Sequence, residues 1–154
     1  MLVVLLILGV LTLHLLRQTN SNIRKPSVMA TIDITNEGSL LIATVTGVLT
    51  AEEVMAVIIE YYPNSIVKDV IWDLTHCSLI SIPQTDFQII ARVSKESVAR
   101  GVREGGKTAF VVNSTVDYGL MRMYSSIAEA ADIPVEYSMY RTLEEARSWL
   151  EREC

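Results

Sequence analysis

The sequence predicts one α/β domain built on a mixed β-sheet with helices packed against it. From residue 29 onward, short β-rich runs alternate with segments of helical periodicity, which is typical of parallel strands joined by right-handed crossovers. The first two β-rich runs are separated only by "NEGS", a turn of the kind that closes a hairpin. The predicted order is therefore β-β-α-β-α-β-α-β-α, with the hairpin adding an antiparallel edge.

The first half of the domain contains the hairpin, a helix and a buried strand. "ATIDIT" and "LLIATVTG" are the hairpin strands. "TAEEVMAVIIEYY" is a helix that opens with Thr50 and Glu53 at capping-box spacing and ends before Pro63. "KDVIWDLT" is too continuously apolar for an exposed edge, so it is placed at the centre of the sheet.

The second half continues the alternation through two more strands and three helices. Ser81 with Gln84 and Thr142 with Glu145 have capping-box spacing at the starts of two of these helices. "TAFVVN" and "PVEYSMY" are the strands, and "DYGLMRMYSSIAEAA" is the helix between them. Periodicity predicts these inward-facing residues: Val54, Val57, Ile58, Tyr61, Phe87, Ile90, Ala91, Ser94, Val98, Leu120, Met123, Tyr124, Ile127, Ala128, Ala131, Val135, Tyr137, Met139, Leu143, Ala146 and Leu150.

Composition and charge limit the classes of partner. Half of the 154 residues are hydrophobic and a fifth are charged, which is a globular composition. Residues 29–154 carry 10 basic and 18 acidic side chains, a net charge of −8 that disfavours a nucleic-acid partner. Cys77 and Cys154 are the only cysteines, too few for a disulfide or zinc framework, and a reducing cytoplasmic location is expected.

Residues 1–28 form a hydrophobic leader and linker with two open interpretations. The first sixteen residues carry no charge and would span roughly 24 Å as a helix, a little less than a hydrocarbon core of about 30 Å. If residues 1–16 enter the membrane, Arg17, Arg24 and Lys25 would hold the domain on the cytoplasmic side. Alternatively, translation starts at Met29, where the globular pattern begins.

The segment "GVREGGKT", Gly101 to Thr108, matches the nucleotide phosphate-loop pattern but not its context. A phosphate loop follows a strand and opens a helix, whose amino end binds the phosphates. Here a helical segment precedes the motif and the strand "TAFVV" follows it. We therefore expect a helix-to-strand turn with left-handed glycine geometry, and no cofactor.

Other candidate chemistry has an ordinary structural alternative in each case. Asp73, His76 and Cys77 follow the central strand, where open α/β sheets place ligand sites, but adjacent side chains point apart and no third catalytic partner is evident. Four side chains could line an apolar pocket or belong to the core, namely Tyr118, Met121, Met123 and Tyr124. Arg122, the one charge in that run, could anchor an acid or a partner, or simply face solvent.

The C-terminal half resembles a known family. "KTAFVV", "GLMRMY" and "RTLEEARSWL" are similar to the strand and helix motifs of SpoIIAA-like proteins, which are related to STAS domains, anti-sigma factor antagonists and the cytoplasmic modules of sulfate transporters. Tyr140 stands where phenylalanine is usual, and the resemblance weakens towards Met29 and omits the leader. It implies a STAS-like mixed sheet with packed helices, in a family not known as a group of enzymes.

The resemblance also implies a candidate switch. Better-known relatives change partners when a kinase phosphorylates a serine at the start of the second helix. In "DLTHCSLISIPQ", Asp73 matches the first aspartate, the phosphorylated position falls on Ile82, and Ser81 occupies the preceding acidic position. Ser81 could thus be a substitute phosphosite, where a phosphate would be favoured beside a helix dipole, or it could serve only as the N-cap of that helix.

Three functions follow as hypotheses. The leading one is a non-enzymatic regulatory module that binds a protein through Asp73, Ser81, Thr85, Tyr118, Met121, Arg122 and Tyr124. The second is a carrier of a lipid or another small apolar molecule, and the third is an enzyme that uses Asp73, His76 and Cys77. A membrane tether through residues 1–16 and a homodimer are compatible with the first two.

Overall fold

A computed structural model describes residues 29–152. The strands are β1 (Thr31–Glu37), β2 (Leu40–Val48), β3 (Asp69–Ser78), β4 (Gly106–Val111) and β5 (Val135–Tyr140). The helices are α1 (Ala51–Tyr61), α2 (Gln84–Val98), α3 (Thr115–Ala130) and α4 (Leu143–Leu150). The element order and the α/β class predicted from the sequence are confirmed.

The five strands form one mixed sheet in the order β1-β2-β3-β4-β5. β1 pairs antiparallel with β2, with Thr31 opposite Thr46, and the remaining pairs are parallel. The central position predicted for "KDVIWDLT" is confirmed, because β3 lies between β2 and β4. Val135, Tyr137 and Met139 were predicted to face inward from β5. This is also confirmed, since all three pack on the main core.

Two hydrophobic clusters cover the two faces of the sheet. The larger lies beneath α1, α2 and α3, and includes Trp72, Phe87, Phe110 and Tyr124. The smaller lies beneath α4, where Ala146 packs with strand residues such as Ile71 and Val111. Alternation along β3 explains this division, because Val70, Trp72 and Leu74 face one side and Ile71 faces the other.

Two of the three predicted capping boxes are confirmed. Thr50 with Glu53 caps α1, and Thr142 with Glu145 caps α4, each with both reciprocal hydrogen bonds.

The predicted box at Ser81 and Gln84 is wrong. Pro83 is the N-cap of α2, makes no side-chain capping bond, and has extended backbone angles of φ −63° and ψ 149°. Its carbonyl accepts the first helical hydrogen bond from the Asp86 N–H at 2.9 Å. Ile82, between Ser81 and Pro83, is buried. The loop therefore turns inward at Ile82 and leaves Ser81 exposed and outside the helix.

The inward face of α3 differs from the prediction in several residues. Asp117 and Met121 are buried although neither was predicted to face inward, and Leu120, Ile127 and Ala131 are only partly buried. Met121 and Tyr124 are buried, whereas Met123 is only partly buried and packs at the edge of the core. The Met121 and Tyr124 side chains, which were predicted to take part in binding, therefore face the interior. Within residues 29–152, no helix combines the length and apolar character needed to cross a bilayer. The predicted leader anchor lies outside the described residues.

Candidate functional site

The side chains with chemical potential gather where β3 and β4 end and the following helices begin. The loop from Leu79 to Pro83 leaves β3, and Ser114 begins α3 after β4. The carboxyl ends of parallel strands lie at one edge of the sheet, which is where open α/β sheets place their ligand sites.

Asp117 joins the two segments. Its Oδ1 accepts a hydrogen bond from the Leu79 N–H at 3.2 Å, and its Oδ2 accepts one from the Ser114 hydroxyl at 2.6 Å. The Ser114 hydroxyl in turn accepts from the Asp117 N–H at 2.9 Å and caps α3. The carboxylate is buried with both oxygens occupied, so its role is to fix the β3–α2 loop against α3.

Asp117 was not predicted as a functional residue, although the sequence contains a signal for it. Ser114 and Asp117 have the S-x-x-D spacing of a helix start, the same kind of signal that was used at Thr50 and Thr142. What the spacing could not show is the bond to Leu79, 38 residues earlier in the chain.

Two further side chains hold the neighbouring loops. Asn113 donates from Nδ2 to the Thr75 carbonyl at 2.9 Å. Arg141 donates from Nη1 to the carbonyls of Val112 and Asn113, at 3.3 and 2.8 Å, and its guanidinium lies 5.1 Å from the centre of the Tyr118 ring. The ends of β3, β4 and β5 are thus tied together by side-chain hydrogen bonds to backbone.

This fixed edge exposes two large apolar side chains. Ile80, which is 76% exposed, follows Leu79, and Val116, which is 61% exposed, precedes Asp117. The hydrogen bond between Leu79 and Asp117 brings these two segments together. Ser81 and Thr85 are exposed in the segment that follows Ile80, and Arg122 is exposed on α3 about 1.7 turns after Val116. We call Ile80, Ser81, Thr85, Val116 and Arg122 the contact surface.

The other predicted site residues lie elsewhere. Asp73 is on β3, where alternation with Trp72 and Leu74 places it on the sheet face opposite α3, and its Oδ1 accepts from the Thr75 N–H and hydroxyl. Tyr118 is half-buried beneath Arg141. Asp73 and Tyr118 are therefore not brought together with Ser81 in one exposed patch.

The geometry at Cys77 disfavours nucleophilic catalysis. Burial, followed by the charges of Asp117 and then Asp73, raises the pKa of the Cys77 thiol to about 12. Catalytic cysteines need a lowered pKa, because the thiolate is the nucleophile. His76 is exposed and precedes Cys77 on the same strand, so the two side chains point to opposite faces.

The core beneath α1, α2 and α3 contains a small apolar cavity. Its volume is about 40 Å³, and its lining includes Ile58, Trp72, Phe87, Met121, Tyr124 and Tyr137. Pockets that hold drug-sized ligands are roughly 300 Å³ or larger. The cavity gives the carrier hypothesis no support.

The phosphate-loop pattern is a helix-to-strand turn, as predicted. Gly105 has φ 71°, and a Cβ on Gly106 would overlap the Lys68 carbonyl oxygen. Lys107 donates from Nζ to the carbonyls of Trp149 and Arg152, at 3.3 and 2.5 Å, and so caps the carboxyl end of α4. Thr108 is buried in β4. Each of these motif residues has a structural partner.

Comparison with known proteins shows the fold. Sequence comparison gives no matching family model and no matching curated protein. An anti-sigma factor antagonist from Mycobacterium paratuberculosis has a similar structure, with a TM-score of 0.52, 12% identity, and coverage of 82% of this chain and 97% of that one. The anti-sigma factor antagonist SpoIIAA in its unphosphorylated form has a TM-score of 0.50 and 12% identity, and the match covers 77% of this chain and 94% of that one.

An uncharacterised DUF3478 protein with a SpoIIAA-like fold, from Shewanella loihica PV-4, gives a TM-score of 0.45 and 13% identity, and covers 79% of this chain and 93% of that one. The two structures with the higher TM-scores establish that this chain has the SpoIIAA-like, or STAS-like, fold that the motifs predicted.

Proposed function

We propose that the chain is a non-enzymatic regulatory module that binds a protein partner through the contact surface. The observation that carries the proposal is the exposure of Ile80 and Val116 on backbone that Asp117 holds in place. Exposed apolar side chains on a rigid scaffold lose little conformational entropy on binding, which favours a protein interface.

The fold supports the same proposal by analogy. Two solved structures with this fold are described as anti-sigma factor antagonists, and such proteins act on other proteins. Fold alone does not determine function, so the analogy adds to the surface and does not replace it.

Photo-cross-linking tests the proposal directly. A photo-reactive amino acid is placed at Ile80 or Val116 in the native host, and at Ile66 as the matched control. Ile66 is 63% exposed but precedes β3, whose ten residues put it about 30 Å from the loop after β3. We expect positions 80 and 116 to cross-link the same protein and position 66 not to. Equal labelling at all three positions, or none at 80 and 116, would reject the contact surface.

Once that protein is purified, the affinity can be measured. Ile80→Asp places a charge in the centre of the interface and should weaken binding by about tenfold or more. Ile66→Asp should leave the affinity within about twofold. An unchanged affinity of the Ile80→Asp variant would contradict the proposal even if cross-links were seen.

Ser81 remains the proposed position of regulation within this surface. Its hydroxyl is exposed next to Ile80, whereas Ile82, at the position where relatives carry the phosphorylated serine, is buried. Phosphate on Ser81 would add negative charge beside the apolar Ile80 side chain and should release the partner. Ser81→Glu should therefore weaken binding and Ser81→Ala should not, and equal affinities for the two variants would exclude Ser81 as a switch.

A further inference from the structure

β5 is an edge strand of the sheet in the described part of the chain. The Val112 N–H donates to the Tyr140 carbonyl at 3.0 Å, and Thr108 lies opposite Tyr137 in the parallel register. Backbone groups alternate in direction along a strand. The N–H and C=O groups of Tyr137 and Met139 therefore point away from β4, towards the open edge.

The strand carries few of the features by which natural edge strands avoid pairing. Its sequence is "VEYSMY", with neither lysine nor proline, and the structure shows no bulge in its pairing with β4. Glu136 is its single charge. The outer edge of β5 is thus chemically able to accept another strand.

A groove runs along this edge between α3 and α4. Its first half, about 760 Å³, follows residues 134–138 and is walled by Ser125 and Glu129 of α3 and by Trp149 of α4. Its second half, about 630 Å³, follows residues 139–141 and is walled by Tyr118 of α3 and Ser148 of α4. An extended peptide that pairs with β5 would place alternate side chains against the two helices.

The charges of the groove select the occupant. The α3 side of its first half carries Glu129 and Asp132, both exposed, and these two carboxylates make this half acidic. Glu136 also lines this half but lies opposite Lys107 of β4, so the acidic character rests on Glu129 and Asp132. In the second half, Arg141 and Arg152 are balanced by Glu144 and Glu145. The groove is therefore acidic at one end and neutral at the other.

These charges favour a basic peptide over a second copy of the chain. An antiparallel pair of β5 strands would bring the acidic half of one copy against the neutral half of the other, without complementary charge. Each copy also carries a net charge of −5, so the two domains repel each other.

We infer that the β5 edge is a second docking site, which takes an extended basic segment of a partner protein by strand addition. The backbone groups of Tyr137 and Met139 bind its main chain, and Glu129 and Asp132 bind basic side chains at alternate positions on the α3 side. This site does not depend on the contact surface around Ile80, and either could exist without the other.

The test uses the full chain and a defined probe. The probe is a fluorescent octapeptide of alternating lysine and valine, and two matched peptides replace lysine by glutamate or carry N-methyl groups on alternate residues. We expect the lysine peptide to bind at least about fivefold more tightly than either control. Amide hydrogen exchange, followed by NMR, should slow at least tenfold at Tyr137 and Met139 when it binds.

Two variants of the protein separate pairing from general attraction. Met139→Pro removes an N–H that is not bonded to β4, so peptide binding should be lost. It also removes a side chain that packs on the main core, so circular dichroism of the variant checks that the sheet is still formed. Glu129→Gln with Asp132→Asn changes exposed charges only, and should weaken the lysine peptide by about fivefold without changing the N-methylated control. Asparagine suits position 132, where the backbone has φ 55°.

Each other result overturns the inference. Absence of binding, or binding without slower exchange at Tyr137 and Met139, would exclude strand addition of a basic peptide. If these amides are protected in the free protein in a concentration-dependent way, a second copy occupies the edge. Protection that is independent of concentration would show that the chain's own residues cover it.

Discussion

Arg103 is the largest side chain that the fold buries completely. It donates hydrogen bonds from Nε to the Lys68 carbonyl at 3.2 Å and from Nη2 to the Thr108 hydroxyl at 2.6 Å, and its guanidinium lies 4.2 Å from the centre of the Tyr62 ring. A buried charge is tolerated when its donors are satisfied. Arg103 therefore joins α1, the start of β3 and the start of β4.

Removing this side chain should be costly. Arg103→Ala leaves the Lys68 carbonyl and the buried Thr108 hydroxyl without this donor and opens a cavity beside Tyr62, so we expect the free energy of unfolding to fall by about 3 kcal/mol. Arg100→Ala is the matched control, because Arg100 is exposed and its 3.9 Å ion pair with Glu96 should contribute less than about 0.5 kcal/mol. Urea denaturation of both variants measures the difference. Similar midpoints would show that Arg103 is not a structural centre.

Cys77 gives a prediction that depends on pH. Burial raises its pKa to about 12 in the folded protein, while the unfolded thiol ionises near its ordinary pKa of 9.0. The folded state therefore binds the proton more tightly, so this contribution to stability is complete below about pH 9 and is lost as pH rises towards 12.

Thiol chemistry measures the same shift. In a Cys154→Ser background, we expect Cys77 to react with a disulfide reagent at pH 8 at least a hundredfold more slowly in the folded protein than in the unfolded chain. Equal rates, or faster reaction in the folded protein, would contradict the raised pKa and restore Cys77 as a candidate nucleophile.

Among the elements, the turn from α2 to β4 shows how a motif can match a pattern for unrelated reasons. Gly101 lies against the end of α1, where a Cβ would come within 2.5 Å of the Tyr62 carbonyl oxygen. Gly106 lies equally close to Lys68 at the start of β3. The spacing of these glycines follows from two close backbone approaches and not from phosphate binding.

Two glycine substitutions test this explanation. Gly106→Ala should lower the free energy of unfolding by at least about 2 kcal/mol, because the Lys68 backbone must move to admit the methyl group. Gly119→Ala, in the interior of α3 with nothing within 4 Å of the added Cβ, should raise it by roughly 0.5–1 kcal/mol. Thermal unfolding followed by circular dichroism gives both signs. A destabilised Gly119→Ala variant, or a neutral Gly106→Ala variant, would contradict the packing described for that position.

The elements also show what the sequence could and could not predict. Periodicity and capping signals are local, and so α1 and α4 were predicted with their caps. The box at Ser81 failed because burial of Ile82 and the fixed φ of Pro83 moved the helix start by two residues. The bond from Leu79 to Asp117 spans 38 residues of the chain and the bond from Arg103 to Lys68 spans 35, and no local pattern carries such information.

At the scale of the whole molecule, the two faces of the sheet are covered unequally. Three helices cover one face, while α4 alone covers part of the other. α4 is held by Lys107 at its carboxyl end and by a bidentate ion pair from Arg147 to Glu37, at 2.6 and 2.8 Å. The ion pair joins α4 to β1, so it connects the C-terminal helix of the described residues to their N-terminal strand.

This closed packing leaves little interior space. Four aromatic side chains of the main core contact one another, with ring centres 5.8–6.3 Å apart among Phe87, Phe110, Tyr124 and Tyr137. The cavity of about 40 Å³ beside them has room for roughly one molecule the size of water. An acyl chain could enter only if these rings moved apart.

Native mass spectrometry of the freshly purified full chain therefore provides the test at this scale. We expect the mass of the polypeptide alone, because a carried lipid needs several hundred Å³ of enclosed space. Phe110→Ala is the informative companion, since truncating a buried ring enlarges the cavity and should allow added indole to bind and raise the melting temperature of the variant. A co-purifying lipid on the unmodified chain that survives gentle desolvation and is lost on unfolding would show that the core opens, and would bring the carrier function back ahead of the binding module.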